Sequence, residues 1–337
     1  MASTKFFLLT LTAAAGVFAL AALLHNDYLF FAGYVVLQFV VLATAWNILG
    51  GYCGYVNFGT AAFFAIGAYA AVALHKVAAS PDRYLSGGWA LLKPLFPLSV
   101  PTLVAVGGLI AGVVGLGMGY LTLRLRGVFF SIATLAMAVV FQTLITNWDF
   151  VGGSRGAYII RPDHIAIGGF ELPYVWYLFL IMLLLAVVAL SLARAIERSR
   201  LGFAFASIRD DELAAEAAGV PTLRIKLIAT TLSGALMGMA GAPFPYYIGY
   251  VEPSAAFGLA YAVNAIAMPM IGGTTSWSGP LIGAILLGSL QQIVTVTISS
   301  AANLLIVGVL LVMFVIIAPK GIVGVVYDRL VGSRIGS

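Results

Sequence analysis

Long apolar runs recur along almost the whole chain and constrain its fold more than any other feature. A bilayer core about 30 Å thick is crossed by a helix of roughly 20 apolar residues. The runs are continuous and lack the alternating pattern of strands in a transmembrane β-barrel. The sequence therefore predicts membrane-spanning helices near residues 5–24, 28–49, 58–79, 98–123, 127–147, 174–194, 225–247, 257–271, 279–298 and 302–318.

The composition agrees with a chain that lies in a membrane along its whole length. Hydrophobic residues make up 62% of the 337 residues, whereas charged residues make up only 9%. A soluble domain of this size would leave much of that apolar surface in water. We predict an all-α, polytopic membrane protein with about ten transmembrane helices, in which residues 1–337 form a single domain.

The first run, which follows Lys5, has two interpretations. A basic residue before an apolar stretch is typical of a cleaved signal peptide. This run is long, however, and no clean small-x-small cleavage site follows it before Asp27. We therefore expect a retained first helix.

Lys and Arg predict how the chain is oriented, because cytoplasmic loops of membrane proteins carry an excess of both. We place the N-terminus inside and count ten crossings. The inside then receives Arg124, Arg126, the basic block 194–226 and the basic residues after 318. Both termini are therefore expected in the cytoplasm, and the longer loops outside are 80–97 and 148–173.

Ionisable residues are absent from the middle of every predicted span. Carriers driven by protons or ions usually keep such groups at membrane depth, although backbone carbonyls also bind sodium. The pattern favours a translocator that takes its energy from outside the membrane. A secondary solute carrier remains the alternative.

No group of residues has the spacing of a metal site or a catalytic site. His25, His75 and His164 lie far apart, and Cys53 is the single cysteine, so neither a metal cluster nor a catalytic triad is indicated. The chain lacks a G-x-x-x-x-G-K-[ST] loop and should not bind ATP itself. Its net charge of +5 comes from residues between spans and at the ends, which does not indicate nucleic acid.

Three glycine-rich stretches interrupt the apolar pattern, at Gly50–Gly59, Gly152–Gly156 and Gly272–Pro280. Irregular backbone at membrane depth persists only where protein covers it or where it lines a cavity, and broken helices often build substrate paths. We interpret the second and third stretches as turns, whereas the first is either a turn or part of a path. The residues assigned to a substrate path are Thr44, Asn47, Asn57, Thr60 and Asn264.

A charged segment at about 199–224 separates the sixth and seventh spans. Asp210 or Asp211 can cap the N-terminus of a helix, and Gly219 can end it. The predicted helix lies along the membrane, with a charged edge and a small apolar side that suits a groove on a soluble partner. A solvated connecting loop is the alternative. The apolar side consists of Leu213, Ala214, Ala217 and Ala218.

Several of these segments resemble one protein family. SRLGFAFASIRDDELAAEAAGV, from Ser199, is similar to the cytoplasmic segment of the branched-chain amino-acid ABC transporter permeases of LivM type. Further segments resemble that family in the same order, and together they cover about residues 37 to 325. They are GGYCGYVNFGTAAFFAIGAYAA from Gly50, LRLRGVFFSIATLAMA from Leu123, FVGGSRG from Phe150, MIGGTTSWSGPLIGAILLG from Met270 and APKGIVG from Ala318.

The resemblance implies a permease subunit of an ABC importer for branched-chain or related small amino acids, in a bacterial inner membrane. Its implied partners are a second, homologous permease, two ABC ATPases that bind the ATP, an extracytoplasmic solute-binding protein and membrane lipid. No cofactor is expected on this chain. Glu212–Gly219 corresponds to the coupling helix that enters a cleft of one ATPase. The implied coupling residues are Arg209, Asp210, Asp211, Glu212, Glu216 and Gly219.

The chain departs from the family pattern at three places near the presumed path. Tyr55-Val56-Asn57-Phe58 stands where relatives often have Gln-x-Ser-Leu, and GGTTSW replaces GG-x-GS-x-W. Pro269 lies within a span that is usually unbroken. These departures leave the solute open, and permeases for urea, short amides or aromatic acids remain alternatives.

Overall fold

The computed structural model describes residues 3–297 apart from 25, 86–92, 95 and 168, together with 305–306, 308–309, 312–313, 316 and 321–325. Within these residues nine helical segments are long and apolar enough to cross a membrane, and they coincide with the first nine predicted runs. The all-α, polytopic prediction is thus confirmed. Most of the tenth predicted run, 302–318, and the basic residues after it lie outside the described residues.

Most of the described chain is helical, and several spans are followed by short helices in the connecting segments. A π-helix, Ile48–Tyr52, continues α2. The helices are α1 Ser3–Leu23, α2 Asp27–Asn47, α3 Thr60–Ala79, α4 Pro81–Tyr84, α5 Val100–Thr122, α6 Val128–Thr146, α7 Tyr174–Glu197, α8 Arg200–Asp210, α9 Glu212–Ala217, α10 Thr222–Gly241, α11 Phe244–Ile248, α12 Pro253–Ala256, α13 Leu259–Gly272 and α14 Ser278–Thr297.

Two short antiparallel ladders were not anticipated from the sequence. Strand β2, His164–Ile167, pairs with β3, Phe170–Pro173, as a hairpin inside the loop that precedes α7. Strand β1, Ala157–Tyr158, pairs with β4, Tyr250–Val251, and so joins that loop to the segment after α11. Strands this short give little periodic signal, which explains why the sequence pattern did not indicate them.

Helix α2 lies at the centre of the bundle and packs against α7, α10, α13 and α14. Every side chain from Gln38 to Asn47 is buried. On the other side of α10, glycines bring three helices together, as the spacing of small residues predicts. A Cβ at Gly238 would overlap the Cβ of Ala111 in α5, and a Cβ at Gly67 in α3 would overlap the carbonyl oxygen of Gly238.

The described loops fall on two sides of the bundle, in the alternation that the sequence predicts. One side, here called the α9 face, carries segments 53–59, 123–127, 198–221 and 273–277, which hydrogen bonds connect. The opposite side, the β-ladder face, carries both ladders. There the Arg161 guanidinium donates through Nη1 to the carbonyls of Tyr246 at 2.6 Å and Tyr247 at 3.0 Å.

Candidate functional site

Two side chains define how the charged segment folds. The Ser199 hydroxyl accepts hydrogen bonds from the amides of Leu201 and Gly202, so α8 begins there. Asp211 has extended backbone, and its carboxylate accepts from the amides of Leu213 at 2.9 Å and Ala214 at 3.0 Å. Asp211 is therefore the cap of α9, and a second helix, α8, precedes the predicted one.

Gly219 ends the segment where the sequence predicts. Its φ of +86° is the left-handed conformation that glycine adopts most readily. The chain then turns through Val220 and Pro221 into α10.

The outward side of the segment is apolar. Leu213 is 64% exposed, and Ala214, Ala217 and Ala218 around it are exposed as well. Phe203 of α8 is 75% exposed, although nothing in the sequence distinguished this phenylalanine from the many that pack inside the bundle. Arg209 and Asp210 pair with each other at 3.2 Å at the end of α8.

Glu212 points in the other direction, into the body of the protein. Its side chain is only 13% exposed, and its Oε1 lies 2.7 Å from Nζ of Lys226. Its Oε2 accepts a short hydrogen bond from the hydroxyl of Tyr55. Arg126 approaches the same carboxylate, with Nε 3.6 Å from Oε1.

Lys226 in the first turns of α10 is 3% exposed. Besides the bond to Glu212, its Nζ donates to Oη of Tyr55 and to the carbonyl of Leu123, each at 3.1 Å. An ammonium group has three protons to donate, so all of them have acceptors. This is the condition under which a charge can be buried at tolerable cost.

Glu216 lies one turn after Glu212 and is held by the same arginine. Nη2 of Arg126 is 3.2 Å from both of its carboxylate oxygens. The hydroxyl of Thr222 also donates to Glu216, at 2.7 Å. Five side chains from four segments thus form one network, which we call the Lys226 cluster: Tyr55, Arg126, Glu212, Glu216 and Lys226.

The charge state of this cluster follows from its contacts. Burial of the Glu212 carboxyl opposes ionisation, but hydrogen bonds from Lys226 and Tyr55 and the charges of Lys226 and Arg126 outweigh it, so its pKa lies below the usual value. Burial, and then the hydrogen bond to Glu212, raise the pKa of Tyr55. Because the pKa of Glu212 is depressed, its contribution to stability is present at neutral pH and is lost only as the pH falls through that lowered pKa.

A second carboxylate holds two of the glycine-rich stretches together. Oε2 of Glu197, at the end of α7, accepts from the amide of Trp277 at 2.7 Å and from the hydroxyl of Tyr52 at 3.5 Å. Residues 273–277 connect α13 to α14, and a 3₁₀ turn, Gly153–Arg155, occupies most of Gly152–Gly156. The interpretation of these two stretches as turns is confirmed.

The first glycine-rich stretch lies at the end of α2 on the α9 face. The carbonyl of Asn57 accepts from Nε1 of Trp46 at 2.9 Å, and its side-chain oxygen accepts from the amide of Gly59 at 2.7 Å. The hydroxyl of Thr60 donates to the same carbonyl at 3.4 Å. Asn57 and Thr60 therefore build the turn between α2 and α3.

Thr44 and Asn47 lie deeper in the bundle and are fully buried. The hydroxyl of Thr44 and both polar atoms of the Asn47 amide make no hydrogen bond of standard geometry to described residues, and the same holds for the Ser233 hydroxyl of α10. Unpaired buried polar groups are costly and call for an explanation, such as water or solute.

Asn264 is separate from these residues. It accepts a hydrogen bond at 2.7 Å from Nε2 of Gln291, which joins α13 to α14. The structure thus brings Thr44 and Asn47 together on α2, places Asn57 and Thr60 in the turn below them, and leaves Asn264 in another helix pair.

Three of the cavities between described residues lie away from the Lys226 cluster. The largest, about 820 Å³, is an apolar groove between α1, α2, α7 and α14. One of about 340 Å³ on the β-ladder face is lined by Arg161, Asp163 and Asp27 among others. The third, about 260 Å³, lies between α6 and α13 and includes Gln142.

The sequence did not indicate the roles of Lys226, Tyr55 and Arg126, because their partners come close only when distant segments pack. Lys226 lies just inside a predicted span, where a lysine usually extends its ammonium group to the membrane surface. Tyr55 and Arg126 lie 171 and 90 residues from their partners Lys226 and Glu216. A cluster assembled over such distances leaves no local pattern.

Comparison with known proteins was made by family and by individual relative. The model of the family described as branched-chain amino acid transport system / permease component matches residues 28–317. The high-affinity branched-chain amino acid transport system permease protein LivM of Escherichia coli K12 is 29% identical over 306 residues, which are 84% of this chain and 67% of the relative. No solved structure matches the chain.

Two further relatives show the range of the similarity. A probable branched-chain amino acid transport permease protein, LivH of Methanocaldococcus jannaschii, is 25% identical over 81% of this chain and 84% of its own length. The autoinducer 2 import system permease protein LsrC of Yersinia enterocolitica is 28% identical over 54% of this chain and 50% of its own length.

Proposed function

This chain belongs to the family of branched-chain amino acid transport system permease components, and from that premise we propose that it is one membrane-spanning subunit of an ABC importer. Partner ATPases supply the energy, and the solute crosses between this chain and a second, homologous permease. The chain itself carries out no chemical step and binds no cofactor. An extracytoplasmic binding protein delivers the solute.

The observation that carries the proposal is the two-sided character of α9. Its outward side is apolar, with Leu213 64% exposed, and that side suits a cleft on a soluble ATPase. Its other side is joined to α10 by Glu212 and Glu216, which accept hydrogen bonds from Lys226 and Thr222. A helix that only connected two spans would need neither feature, whereas a helix that transmits movement needs both.

The orientation follows from the same assignment. The α9 face is cytoplasmic in our proposal, together with both termini, and the β-ladder face is extracytoplasmic. Arg126, Arg200 and Arg224 then lie on the side where positive charge is favoured. The proposed location is the inner membrane of a bacterial cell, because the permease relative LivM comes from the bacterium E. coli.

The solute path is proposed to pass Thr44 and Asn47, because their buried polar atoms make no hydrogen bond of standard geometry to described residues and lie on α2 next to the π-helix. Asn57 and Thr60 shape the cytoplasmic end of that path, and Asn264 acts in it through α13. Branched-chain amino acids are the proposed solutes. Because the chain is also similar to an autoinducer 2 permease over about half of its length, other small solutes should be tested as well.

The first experiment is mass spectrometry of the proteins that co-purify with the chain in mild detergent. We expect a second permease and two ABC ATPases. Repeated recovery of the chain alone, under conditions that preserve other membrane complexes, would contradict the proposal and favour a secondary carrier.

The second experiment measures uptake of radiolabelled L-leucine into proteoliposomes that contain the recovered complex, ATP on the ATPase side and the binding protein on the other. Unlabelled isoleucine should compete. Competition by urea, a short amide or an aromatic acid, but not by isoleucine, would mean that the same importer carries a different solute.

A further inference from the structure

Two tyrosines of the first glycine-rich stretch each bind a carboxylate, one at the end of α7 and the other at the start of α9. The Tyr52 hydroxyl is 3.5 Å from Oε2 of Glu197, just before α8, and Tyr55 donates to Glu212, just after it. Between them Gly54 lies against Arg209, so close that a Cβ there would be 2.9 Å from Cγ of the arginine. The stretch is therefore hydrogen-bonded to the end of α7 and to α9, and between these two bonds it packs closely against α8.

Lys226 connects α9 and the first glycine-rich stretch to the membrane-spanning helices. Its ammonium group bonds to α9 through Glu212, to the first stretch through Tyr55, and to the end of α5 through the Leu123 carbonyl. Loss of one partner from a buried ion pair leaves an uncompensated charge, which is strongly unfavourable. The three elements are consequently constrained to move together when α9 moves.

The element that this attachment reaches is the π-helix Ile48–Tyr52 at the end of α2. Single-turn π-helices are uncommon and occur frequently at functional sites. Gly51 leaves no space for a side chain, since a Cβ there would overlap Oδ1 of Asn47 and lie 2.7 Å from the carbonyl oxygen of Thr274. The amide of Tyr55 donates to the carbonyl of Leu49 in the π-helix at 3.1 Å. A displacement of Tyr55 therefore acts on the π-helix, whose Gly51 lies against the side chain of Asn47.

We propose that Lys226, Glu212 and Tyr55 are positioning residues that transmit the movement of α9 to the π-helix and thereby to the buried amide of Asn47. The inference rests on the proposed function, because it assumes that ATPases move α9. It adds residues of this chain through which ATP hydrolysis and solute passage are coupled. A buried ion pair contributes little net stability compared with apolar residues of similar size, which favours a role of this kind.

The test compares two buried tyrosines in the complete complex in proteoliposomes. Tyr55→Phe removes only the hydroxyl that binds Glu212 and Lys226, and Tyr69→Phe removes a buried hydroxyl without a partner among the described residues. For Tyr55→Phe we expect leucine uptake per ATP hydrolysed to fall about tenfold or more, as for loss of a hydrogen bond to a charged group. Tyr69→Phe should leave this ratio unchanged, and equal ratios for both variants would overturn the proposal.

A second comparison separates transmission from stability. Lys226→Met alone removes the nearest cationic partner of the buried Glu212 carboxylate and is expected to impair assembly. The double variant Lys226→Met/Glu212→Leu removes both charges and should restore assembly and ATP hydrolysis. Transmission through these residues predicts that leucine uptake stays low in the double variant, whereas full recovery of uptake would show that the pair is merely structural.

Failure of this inference is distinguishable from failure of the proposed function. If the wild-type complex takes up leucine with ATP and the double variant does so equally well, only the transmission role is lost. If the wild-type chain neither binds ATPases nor supports ATP-dependent uptake, the importer assignment itself is wrong.

Discussion

Gly238 sets the distance between three spans, and no larger residue fits there. A Cβ on Gly238 would overlap Ala111 and lie 2.7 Å from the carbonyl oxygen of Gly107. Both neighbours lie in α5, and neither the Cβ of Ala111 nor the backbone of Gly107 belongs to a flexible side chain that could move aside. By contrast, a Cβ built on Gly117, which lies in α5, would have no neighbouring atom within 4 Å.

We therefore predict opposite effects of the same substitution at these two glycines. Gly238→Ala should lower the free energy of unfolding by about 1–3 kcal/mol, the usual cost of overpacking. Gly117→Ala should be neutral or raise it by up to about 1 kcal/mol, because alanine favours a helix. Thermal unfolding of the purified chain in detergent measures both, and an equal loss for the two variants would contradict close packing at Gly238.

Residues that act on their immediate neighbours were predictable from the sequence. Asp211 caps the helix that starts one residue later, and Gly219 ends it, because both effects depend on local backbone geometry. Lys226 was not predictable as a buried residue. Its burial depends on Tyr55 and Leu123, which only the packing of distant spans brings within reach.

At the scale of elements, α9 combines two sides with different tasks. Its charged side was predicted only as an edge of the helix, and the structure shows that Glu212 on this side is 13% exposed and faces the spans. The apolar side remains for a partner. A helical pattern in the sequence defines which residues share a side, but it does not say which side is covered by the rest of the protein.

The consequence for partner binding is testable on the outward side. Leu213→Arg places a charge in the centre of the apolar surface and should reduce recovery of ATPases with the chain at least about tenfold, the size of effect expected at the centre of an interface. The matched control is Ile160→Arg on the β-ladder face, where Ile160 is 86% exposed. Both variants should insert into the membrane normally. Undiminished ATPase recovery with Leu213→Arg would place the contact elsewhere.

The sequence indicated that α2 breaks near its end, but it did not indicate what the broken end contacts. Glycines at 50, 51 and 54 indicated a break in α2, and the break exists. Its position relative to α7 and α9 is defined by Tyr52 and Tyr55, whose carboxylate partners are 145 and 157 residues away. Periodicity cannot indicate contacts at that separation.

On the scale of the whole molecule, the number and order of spans was the most predictable property. The described residues contain nine spans at the predicted places, because each span is fixed by the thickness of the bilayer and by its own composition. The short ladders that join β1 to β4 and β2 to β3 had no comparable signal.

The proposed orientation predicts which side each loop occupies. Cys53 is fully buried, and burial raises the pKa of its thiol to about 12, so the native chain should react poorly with maleimides at neutral pH. Leu125→Cys on the α9 face and Tyr158→Cys on the β-ladder face introduce exposed thiols. In intact spheroplasts an impermeant maleimide should label only Tyr158→Cys, and the reverse pattern would invert the proposed topology.

The Lys226 cluster also bears on how the chain is made. Tyr55, Leu123 and Glu212 precede Lys226 by 171, 103 and 14 residues, so a ribosome completes all three acceptors before it adds the lysine. The three acceptor groups can therefore already be in place when α10 enters the bilayer. The ammonium group of Lys226 then finds its partners on insertion and is not exposed to lipid unpaired. The order of synthesis and the order in which the charge is neutralised coincide.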